Sequence, residues 1–398
     1  MKNIRSVGFF LLAIVLFTSC QKDWRNEVLP GNKLFVSATP AGSFTKEALQ
    51  AAAIKGGFAV FAPLAKYDVD FLRIIYKTTF KGKQIQVSGL LGIPKNTPAV
   101  PSLLSAQHGT IFRYAEAPSN FPLTFSGFEL FASAGFVTLI PDFIGYGVSQ
   151  STVHPYYDQQ SSGLTVTDMI KAVKYYLQTQ NIAVTSRLFL AGYSEGGYVT
   201  MAAQKEIETT PSHQLKVTAA AEGAGGYDLN IIVNTLADTN YYAAPSFLTL
   251  LIKGYNATYN WNRPYSDFFQ EPYASQIPSL LDGNKSRGEI DAALTTSPSA
   301  LFNPVFYAGL NNPYQELALK LFLAGNSFLT WAPKSPTRLY HGTADEAVFF
   351  KSSVSTFARF KALGAPSVEF YPIPGGTHST SIAPMMLNAL PWIQSLDK

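Results

Sequence analysis

Short apolar segments alternate with amphipathic segments along most of the chain. Two strand patterns come first, at 67–80 and 84–93, and the Lys81-Gly82-Lys83 triplet between them predicts an antiparallel hairpin. Further strands are predicted at 102–106, 136–140, 187–191, 217–221, 338–340 and 368–371, and helices at 125–134, 162–179, 195–209 and 383–396. Because apolar strands that alternate with helices form parallel sheets covered on both faces, the pattern predicts an α/β fold with a mostly parallel central sheet.

The alternation stops at 227–336, where about 110 residues rich in Tyr, Phe, Leu, Asn and Pro show helical patches but no clear strand pattern. A structureless loop of that length is rare inside a compact domain. We therefore predict a large, mostly helical cap at 227–336, inserted into a core made of 46–226 and 337–398. A separate interaction domain is the alternative, and the return to a strand pattern at 338–340 favours the cap.

The first twenty residues form a unit of their own. Lys2 and Arg5 precede an apolar run at 7–17. This run is shorter than the roughly 20 residues that span a bilayer, but it suits the core of a signal peptide. The residues after position 20, up to position 45, are mixed in character and are predicted to be a tether leading into the domain.

Small residues, Thr18 and Ser19, stand directly before Cys20 and resemble the lipobox of bacterial lipoproteins, although Phe17 occupies the position where leucine is commonest. The resemblance implies that 1–20 is a lipoprotein signal, that Cys20 is acylated, and that the protein is exported. It would then be anchored to a bacterial envelope membrane, facing the periplasm or the surface. An ordinary secretory signal is the alternative. Cys20 is the only cysteine, so an intramolecular disulfide is excluded.

The composition narrows the function classes. Charged residues make up 14% of the chain and aromatic residues 14%, against a typical charged share of about 25%. The net charge of +4 includes two basic residues of the signal segment, so no concentrated basic surface points to a nucleic-acid partner. The sequence contains no metal-ligand cluster, phosphate loop or dinucleotide fingerprint, so we expect neither a metal nor a cofactor.

A Gly-x-Ser-x-Gly pattern occurs at 192–196, between the strand pattern at 187–191 and the helix pattern that starts at Glu195. In this turn a strand reverses sharply into a helix, and the positions two before and two after the serine must be small because the backbones nearly touch. The five-residue pattern alone is a weak signal in a Gly-rich chain, but the strand before it and the helix after it make the pattern specific. Ser194 is the candidate nucleophile.

Serine needs a base within hydrogen-bond reach, and the chain has five histidines. His154 and His213 lie in polar loops and are expected at the surface. His108 and His341 each precede a glycine at a strand end, which favours a role in shaping the backbone or in buried hydrogen bonds. His378 remains as the candidate base, in a Gly-rich loop between the last strand and the last helix.

The base needs a carboxylate that fixes its tautomer and balances its developing charge. Asp345 follows the penultimate strand, and Glu346 is its immediate rival. Asp228 and Glu222, beside the preceding strand, are further alternatives.

An oxyanion intermediate needs two backbone N–H donors. One is expected from Glu195, directly after the nucleophile, whose side chain we expect to be incidental. The other is expected from the loop Gln107-His108-Gly109-Thr110, with Thr110 as first choice and Gly109 as second.

Taken together, the segments QHGT at 107–110, PDFIGYG at 141–147 and GYSEGG at 192–197, the chain order of the serine, acid and histidine, and the large helical insertion resemble the α/β-hydrolases. The combination is most similar to the secretory lipase branch and related bacterial exported esterases. The resemblance covers the chain from about position 102 to its end. It implies the α/β-hydrolase fold, His378 in the position of the base, Asp345 rather than Glu346 as the acid through a Gly-x-x-Asp pattern, and a structural role for Asp142.

The implied function is hydrolysis of a carboxylic ester through an acyl-Ser194 intermediate, on a small-molecule, lipid or glycan ester. The aromatic, weakly charged cap favours an apolar or aromatic acyl group. The alternatives are a serine peptidase of the prolyl-oligopeptidase type and an esterase that removes acetyl or feruloyl groups from carbohydrate. A non-catalytic protein on the same scaffold is a further alternative, although such proteins typically lose a member of the triad.

Overall fold

One sheet runs through the computed structural model, which describes residues 31–398. Its nine strands within that range are β1 (Phe35–Phe44), β2 (Val69–Phe80), β3 (Lys83–Pro94), β4 (Leu103–Gln107), β5 (Val137–Pro141), β6 (Leu188–Tyr193), β7 (Ala219–Gly223), β8 (Thr337–Gly342) and β9 (Val368–Ile373). The spatial order is β1-β2-β3-β5-β4-β6-β7-β8-β9. Pairing is antiparallel from β1 through β3 to β5 and parallel from β5 to β9. This topology confirms the predicted α/β-hydrolase fold.

The helices cover both faces of this sheet. Those outside the cap are α1 (Lys46–Lys55), α2 (Leu130–Ser133), α3 (Gln159–Thr179), α4 (Glu195–Thr209), α12 (Phe350–Ala362) and α13 (Ile382–Leu396). Those between 227 and 336 are α5 (Leu229–Ala237), α6 (Pro245–Thr258), α7 (Tyr273–Leu280), α8 (Arg287–Ala293), α9 (Pro298–Leu301), α10 (Pro304–Asn311) and α11 (Leu317–Gly325). None of the helices in 31–398 is both long and apolar enough to cross a membrane.

Two sequence predictions at the edges of the core are wrong. The expected tether at 21–45 is a strand from Phe35 onward, because β1 pairs with β2 along the open edge of the sheet. Its pattern was weak because the edge strand is only half-buried and contains Pro40 and two register shifts. The helix expected at 125–134 shortens to α2, since Gly127 with a φ of 88° precedes it. The predicted signal and Cys20 lie outside the described residues.

The residues at 227–336 carry seven helices and share an apolar core with the sheet. Phe328, in this segment, stacks edge-on against Tyr198 of α4 with ring centroids 5.0 Å apart. The Tyr198 hydroxyl lies 2.8 Å from the carbonyl oxygen of Asn326. The segment thus packs on the face of the sheet that α3 and α4 cover, and it buries apolar surface jointly with them.

The parallel strands place their carboxyl ends at one edge of the sheet. The loops that follow β4, β6, β8 and β9 therefore emerge side by side, and they carry 108–110, Ser194, Asp345 and His378. In open α/β sheets this edge is where ligands bind. The fold itself brings the candidate residues into one region.

The turn between β6 and α4 is sterically tight. Ser194 has φ 61° and ψ −128°, a conformation that residues with a side chain rarely adopt. A Cβ added to Gly192 would come within 2.2 Å of the Gly196 carbonyl oxygen. A Cβ on Gly196 would come within 2.0 Å of the Gln107 carbonyl oxygen. Glycine at both positions is therefore a steric requirement of this turn.

A buried carboxyl group lies next to this turn. Glu222 of β7 is fully buried, and neither of its carboxyl oxygens has a hydrogen-bond partner within residues 31–398. Burial raises the pKa of Glu222 well above its usual range, and the charge of Glu208 adds to the effect. Glu222 is thus expected to be neutral in the folded protein.

We expect Gly192→Ala to lower the melting temperature and to reduce the ester hydrolysis predicted from the sequence by about 100-fold or more, because the new methyl group forces the turn apart. Thermal unfolding and ester hydrolysis measure the two effects. Gly288→Ala is the matched control, since a Cβ there meets no atom within 4 Å. That change lies in helix α8 and should stabilise the protein by about 0.5–1 kcal/mol. Normal activity in Gly192→Ala would contradict the steric argument.

We expect Glu222→Gln to stabilise the protein increasingly as the pH rises from 4 to 8. In the unfolded chain a glutamate loses its proton near about pH 4.3, whereas in the fold Glu222 keeps it. The folded state therefore binds more protons above that pH, and the free energy of unfolding falls as the pH rises. Glutamine does not titrate, so the free energy of unfolding of the variant does not fall with pH in this way. Melting temperatures across the pH range test this. Glu47→Gln, a change at an exposed glutamate of helix α1, is the control, and its melting temperatures should follow those of the unchanged protein.

Candidate active site

Three side chains from separate loops form one hydrogen-bonded line. The Ser194 Oγ lies 2.8 Å from His378 Nε2, and His378 Nδ1 lies 2.7 Å from Asp345 Oδ2. All three residues are buried, with 6% of Ser194, 6% of His378 and 8% of Asp345 exposed. In this arrangement the imidazole can accept the serine proton while the carboxylate stabilises the charge that forms.

The Asp345 carboxylate is held at both oxygens. Oδ1 accepts hydrogen bonds from the backbone N–H groups of Ala347 at 3.0 Å and Val348 at 2.8 Å. Oδ2 faces His341 Nε2 at 3.2 Å as well as His378. Burial acts to raise the pKa of Asp345, but the hydrogen bonds and charges of the two histidines outweigh it and lower the pKa below its usual range. Asp345 therefore stays ionised wherever the fold is intact at neutral pH.

The alternative carboxylates occupy other positions. Glu346 Oε2 lies 3.3 Å from the backbone N of His378 and accepts from it rather than from the ring. Asp228 Oδ2 accepts from the Ser355 hydroxyl at 2.7 Å. Glu222 lies in β7 without a partner among the described residues. The structure thus brings only Asp345, of these candidates, to the imidazole ring of His378.

Two histidines expected at the surface are buried instead. His154 and His213 are each 9% exposed, and each pairs with a carboxylate. His154 Nε2 lies 2.7 Å from Glu195 Oε1, and His213 Nε2 lies 2.6 Å from Glu206 Oε1. The expectation failed because their loops are polar in sequence but fold over the same helix, α4. The Glu195 side chain is therefore not incidental, since it is buried and paired.

The other two histidines lie in buried positions, as their strand-end glycines indicated. The His108 ring stacks on Phe143 with centroids 4.2 Å apart, and burial lowers the pKa of His108. The His341 Nδ1 lies 2.7 Å from the Ser353 hydroxyl, and its Nε2 faces the Val348 carbonyl oxygen at 2.8 Å. His341 therefore supports the segment that holds Asp345, which makes the expected role in buried hydrogen bonds more specific. The only available signal for this support was its position four residues before Asp345.

The predicted oxyanion donors border the nucleophile. A Cβ added to Gly109 would lie 3.5 Å from Ser194 Cβ, so this loop passes directly beside the serine. Thr110 follows, and its Oγ1 lies 2.9 Å from the Tyr156 hydroxyl. Within residues 31–398 the backbone N–H groups of Gly109, Thr110 and Glu195 donate no hydrogen bond to a protein acceptor. These donors are thus available to a negatively charged oxygen next to Ser194.

Asp142 has the structural role that the sequence analysis expected. Its carboxylate accepts from the Ser119 backbone N–H at 2.8 Å and from the Ser88 hydroxyl at 2.5 Å. It is fully buried, and burial raises its pKa in spite of these hydrogen bonds. Asp142 pins the loop at 141–147 to the sheet and does not contact the triad.

An apolar cavity of about 30 Å³ lies between the core and the cap, next to the segments that hold Asp345 and Thr110. It is lined by Tyr156, Tyr157, Leu229, Ile232, Tyr242, Phe247, Leu248, Leu251, Leu323, Ala347 and Val348. Two of its lining residues also contact the candidate site: the Val348 N–H donates to the Asp345 carboxylate, and the Tyr156 hydroxyl is hydrogen-bonded to the Thr110 hydroxyl. Sequence patterns could not assign these walls, since most of them come from helices of the cap. No group of three or more His, Cys, Asp or Glu side chains within residues 31–398 is arranged to bind a metal.

Both the sequence and the fold are similar to those of known hydrolases. A secretory lipase family profile matches residues 129–396. No curated protein sequence matches at a significant level. The fold is similar to that of a Legionella pneumophila protein described as a hydrolase, with 22% identity over 92% of this chain and 98% of that chain and a TM-score of 0.83. It is also similar to the rice cell wall degrading esterase LipA of Xanthomonas oryzae, with 26% identity over 90% of this chain and 96% of that chain and a TM-score of 0.77.

A further solved structure, Candida antarctica lipase A in its closed state, is 15% identical over 92% of this chain and 82% of that chain, with a TM-score of 0.68. At this identity, and at that of the Legionella protein, the likeness shows a shared fold. The family match, by contrast, spans about two thirds of the sequence and includes the β6 turn and the loops after β8 and β9. The chain belongs to the secretory lipase family, a family of hydrolases of the lipase and esterase type.

Proposed function

We propose that the protein hydrolyses carboxylic esters through an acyl-Ser194 intermediate. As Ser194 Oγ attacks the ester carbonyl carbon, His378 accepts the hydroxyl proton and Asp345 stabilises the imidazolium. His378 then gives this proton to the departing alcohol, and the ester C–O bond breaks. Water next attacks the acyl carbon while His378 takes its proton, and the acid leaves as Ser194 regains a proton. The observation that carries this proposal is the unbroken hydrogen-bonded line from Asp345 to Ser194.

The negative oxygen of each tetrahedral intermediate is proposed to lie against two backbone N–H groups. Glu195 supplies one, as the first residue of α4, where the helix dipole also favours negative charge. Thr110 supplies the other, with Gly109 as the alternative. Support comes from the closeness of the loop at 108–110 to the Ser194 side chain.

The acyl group is proposed to be apolar and short. The cavity beside the site is lined by aromatic and aliphatic side chains, which favour an apolar group. A water molecule needs at least about 10–15 Å³ of such volume, and the cavity provides about 30 Å³. A cavity of this size favours a short acyl group over a long one.

Two alternatives concern the substrate rather than the catalytic residues. Esters of carbohydrate, such as acetyl or feruloyl esters, remain a second candidate because the chain resembles an esterase described as rice cell wall degrading. A peptidase of the prolyl-oligopeptidase type is the third. Acetylated xylan, methyl ferulate and aminoacyl p-nitroanilides, assayed beside p-nitrophenyl esters, separate the three activities.

The cellular setting is also proposed. Membership of a secretory family supports export. We propose in addition that Cys20 is acylated and anchors the protein to an envelope membrane, on the basis of its resemblance to a lipobox. Labelling with a radioactive or alkyne-bearing fatty acid in cells, compared with Cys20→Ala, tests this directly.

We expect Ser194→Ala to lower kcat by about 10⁵- to 10⁶-fold and Asp345→Asn by about 10⁴-fold, because the second change leaves the histidine in the wrong tautomer. Steady-state hydrolysis of p-nitrophenyl acetate measures both. A fluorophosphonate probe should label the unchanged protein at Ser194 and fail to label Ser194→Ala. Near-normal activity of Asp345→Asn would reject the assignment of the acid, and Glu346→Gln is the matched control on the neighbouring residue.

We expect kcat/KM to be highest for acetyl to butanoyl esters and to fall for longer acyl chains. Leu248→Ala should shift this optimum to longer chains, because it removes three carbon atoms from the cavity wall. The ratio of kcat/KM for octanoate and acetate esters measures the shift. Leu319→Ala is the matched control, since Leu319 is buried in the cap outside that wall. An equal change of the ratio in both variants would argue against this cavity as the acyl site.

A further inference from the structure

His154 is held between a core loop and the first turn of α4. Its Nδ1 lies 2.7 Å from the carbonyl oxygen of Ile144, and its Nε2 lies 2.7 Å from Glu195 Oε1. Of the two side chains, 9% of His154 and 2% of Glu195 are exposed. The reaction proposed above uses only the backbone of Glu195, so neither side chain has a role in it so far.

The two hydrogen-bond partners of His154 determine which atoms of the histidine–glutamate pair can carry protons. The Ile144 carbonyl oxygen can only accept, so Nδ1 must carry a hydrogen. At 2.7 Å the contact between Nε2 and Glu195 Oε1 also requires a proton between the two atoms. That proton belongs either to an imidazolium facing a carboxylate or to a carboxyl group facing a neutral ring. In both cases the pair is neutral overall, and its short hydrogen bond fixes the Glu195 side chain.

The surrounding loop is shaped to receive this ring. Gly145 has φ 97°, and a Cβ there would lie 2.7 Å from the backbone and Cβ of His154. The His154 ring packs against Tyr146, with centroids 5.0 Å apart, and lies nearly parallel to Phe143. Asp142 accepts a hydrogen bond from the Ser88 hydroxyl of β3 and so fixes the start of the same loop to the sheet. The PDFIGYG segment thus holds the His154 ring in place by close packing.

The peptide between Ser194 and Glu195 carries the N–H proposed to stabilise the oxyanion. Its carbonyl oxygen accepts from Gly197 N at 2.9 Å and from Tyr198 N at 3.2 Å. On the other side, the Glu195 side chain is tied to His154 and through it to the loop carbonyl. The peptide is therefore restrained from both ends, although Ser194 itself has a strained backbone.

We propose that His154 is a positioning residue: through the Glu195 side chain it fixes the first turn of α4 and the direction of the Glu195 N–H toward the reacting oxygen. This inference rests on the proposed ester hydrolysis at Ser194. It gives a function to the PDFIGYG loop and to the acidic residue that follows the nucleophile.

His154→Phe tests the proposal, since phenylalanine retains the ring packing and removes both hydrogen bonds of the ring. We expect kcat for p-nitrophenyl acetate to fall about 10- to 100-fold with KM changed less than about 3-fold, because a misdirected oxyanion donor weakens the transition state and not substrate binding. The rate of labelling by a fluorophosphonate should fall by a similar factor. His154→Gln, whose amide can still donate to Glu195, should recover most of the loss.

His213→Phe is the matched control. His213 has the same exposure as His154, pairs with Glu206 of the same helix at 2.6 Å, and lies at the far end of α4 from Ser194. Both phenylalanine variants should lose stability, but His213→Phe should keep its kcat. Equal losses of kcat in the two variants would show a general effect of buried histidine–glutamate pairs and would overturn the proposal.

The double variant His154→Phe with Glu195→Met separates positioning from stability. Replacing both partners leaves no unpaired buried carboxylate, so the melting temperature should recover relative to His154→Phe. Under the proposal kcat stays low, whereas recovery of kcat together with stability overturns it. Unchanged protein that neither hydrolyses esters nor reacts with the fluorophosphonate would instead refute the proposed function. Active, labelled protein with full kcat in His154→Phe would refute the positioning role alone.

Discussion

The site depends on a close backbone contact at the end of β6. Gly196 lies so near to Gln107 of the neighbouring strand that a side chain on it is impossible without movement of the sheet. Because this contact is allowed, α4 can start directly after the strand, and Ser194 is left at the apex with a positive φ. Strain of this kind costs about 1–3 kcal/mol and persists only where the surroundings hold it. Here the Ser194 N–H donates to the Gly223 carbonyl oxygen at 2.8 Å, and α4 packs beneath.

The same turn leaves N–H groups at the start of α4 without helical acceptors. Two histidine–carboxylate pairs flank it: His378 with Asp345 on one side, and His154 with Glu195 on the other. Both carboxylates are buried, and each is satisfied by its histidine. The two pairs differ in their contact with the nucleophile, since of the two histidines only His378 also forms a hydrogen bond with the Ser194 hydroxyl. One pair can thus exchange a proton with a hydroxyl, while both ring nitrogens of the other are held in hydrogen bonds to fixed protein groups.

The sequence predicted the parts of this arrangement that depend on local sterics and periodicity. The glycines at 192 and 196, the apolar strand before them and the start of α4 at Glu195 are all local, and the structure has them where the pattern indicated. The burial of His154 was not predictable, because the loop that carries it is polar and its burial comes from residues distant in the chain. For the same reason the edge strand β1 lies where the sequence predicts a tether, since its half-exposed face gives no clear alternation.

The way the cap is attached limits how substrate can reach Ser194. Tyr198 of α4 contacts both the Phe328 ring and the Asn326 carbonyl oxygen, and the Tyr255 hydroxyl lies 3.1 Å from the carbonyl oxygen of Tyr157 in the core. Lifting the whole cap would break these contacts and expose large aromatic side chains, at about 1.5–3 kcal/mol for each one. Leu229 and Ile232 of α5 form part of the wall of the cavity beside the site. A route to Ser194 that leaves the shared aromatic core intact therefore avoids the cost of separating the cap from the core.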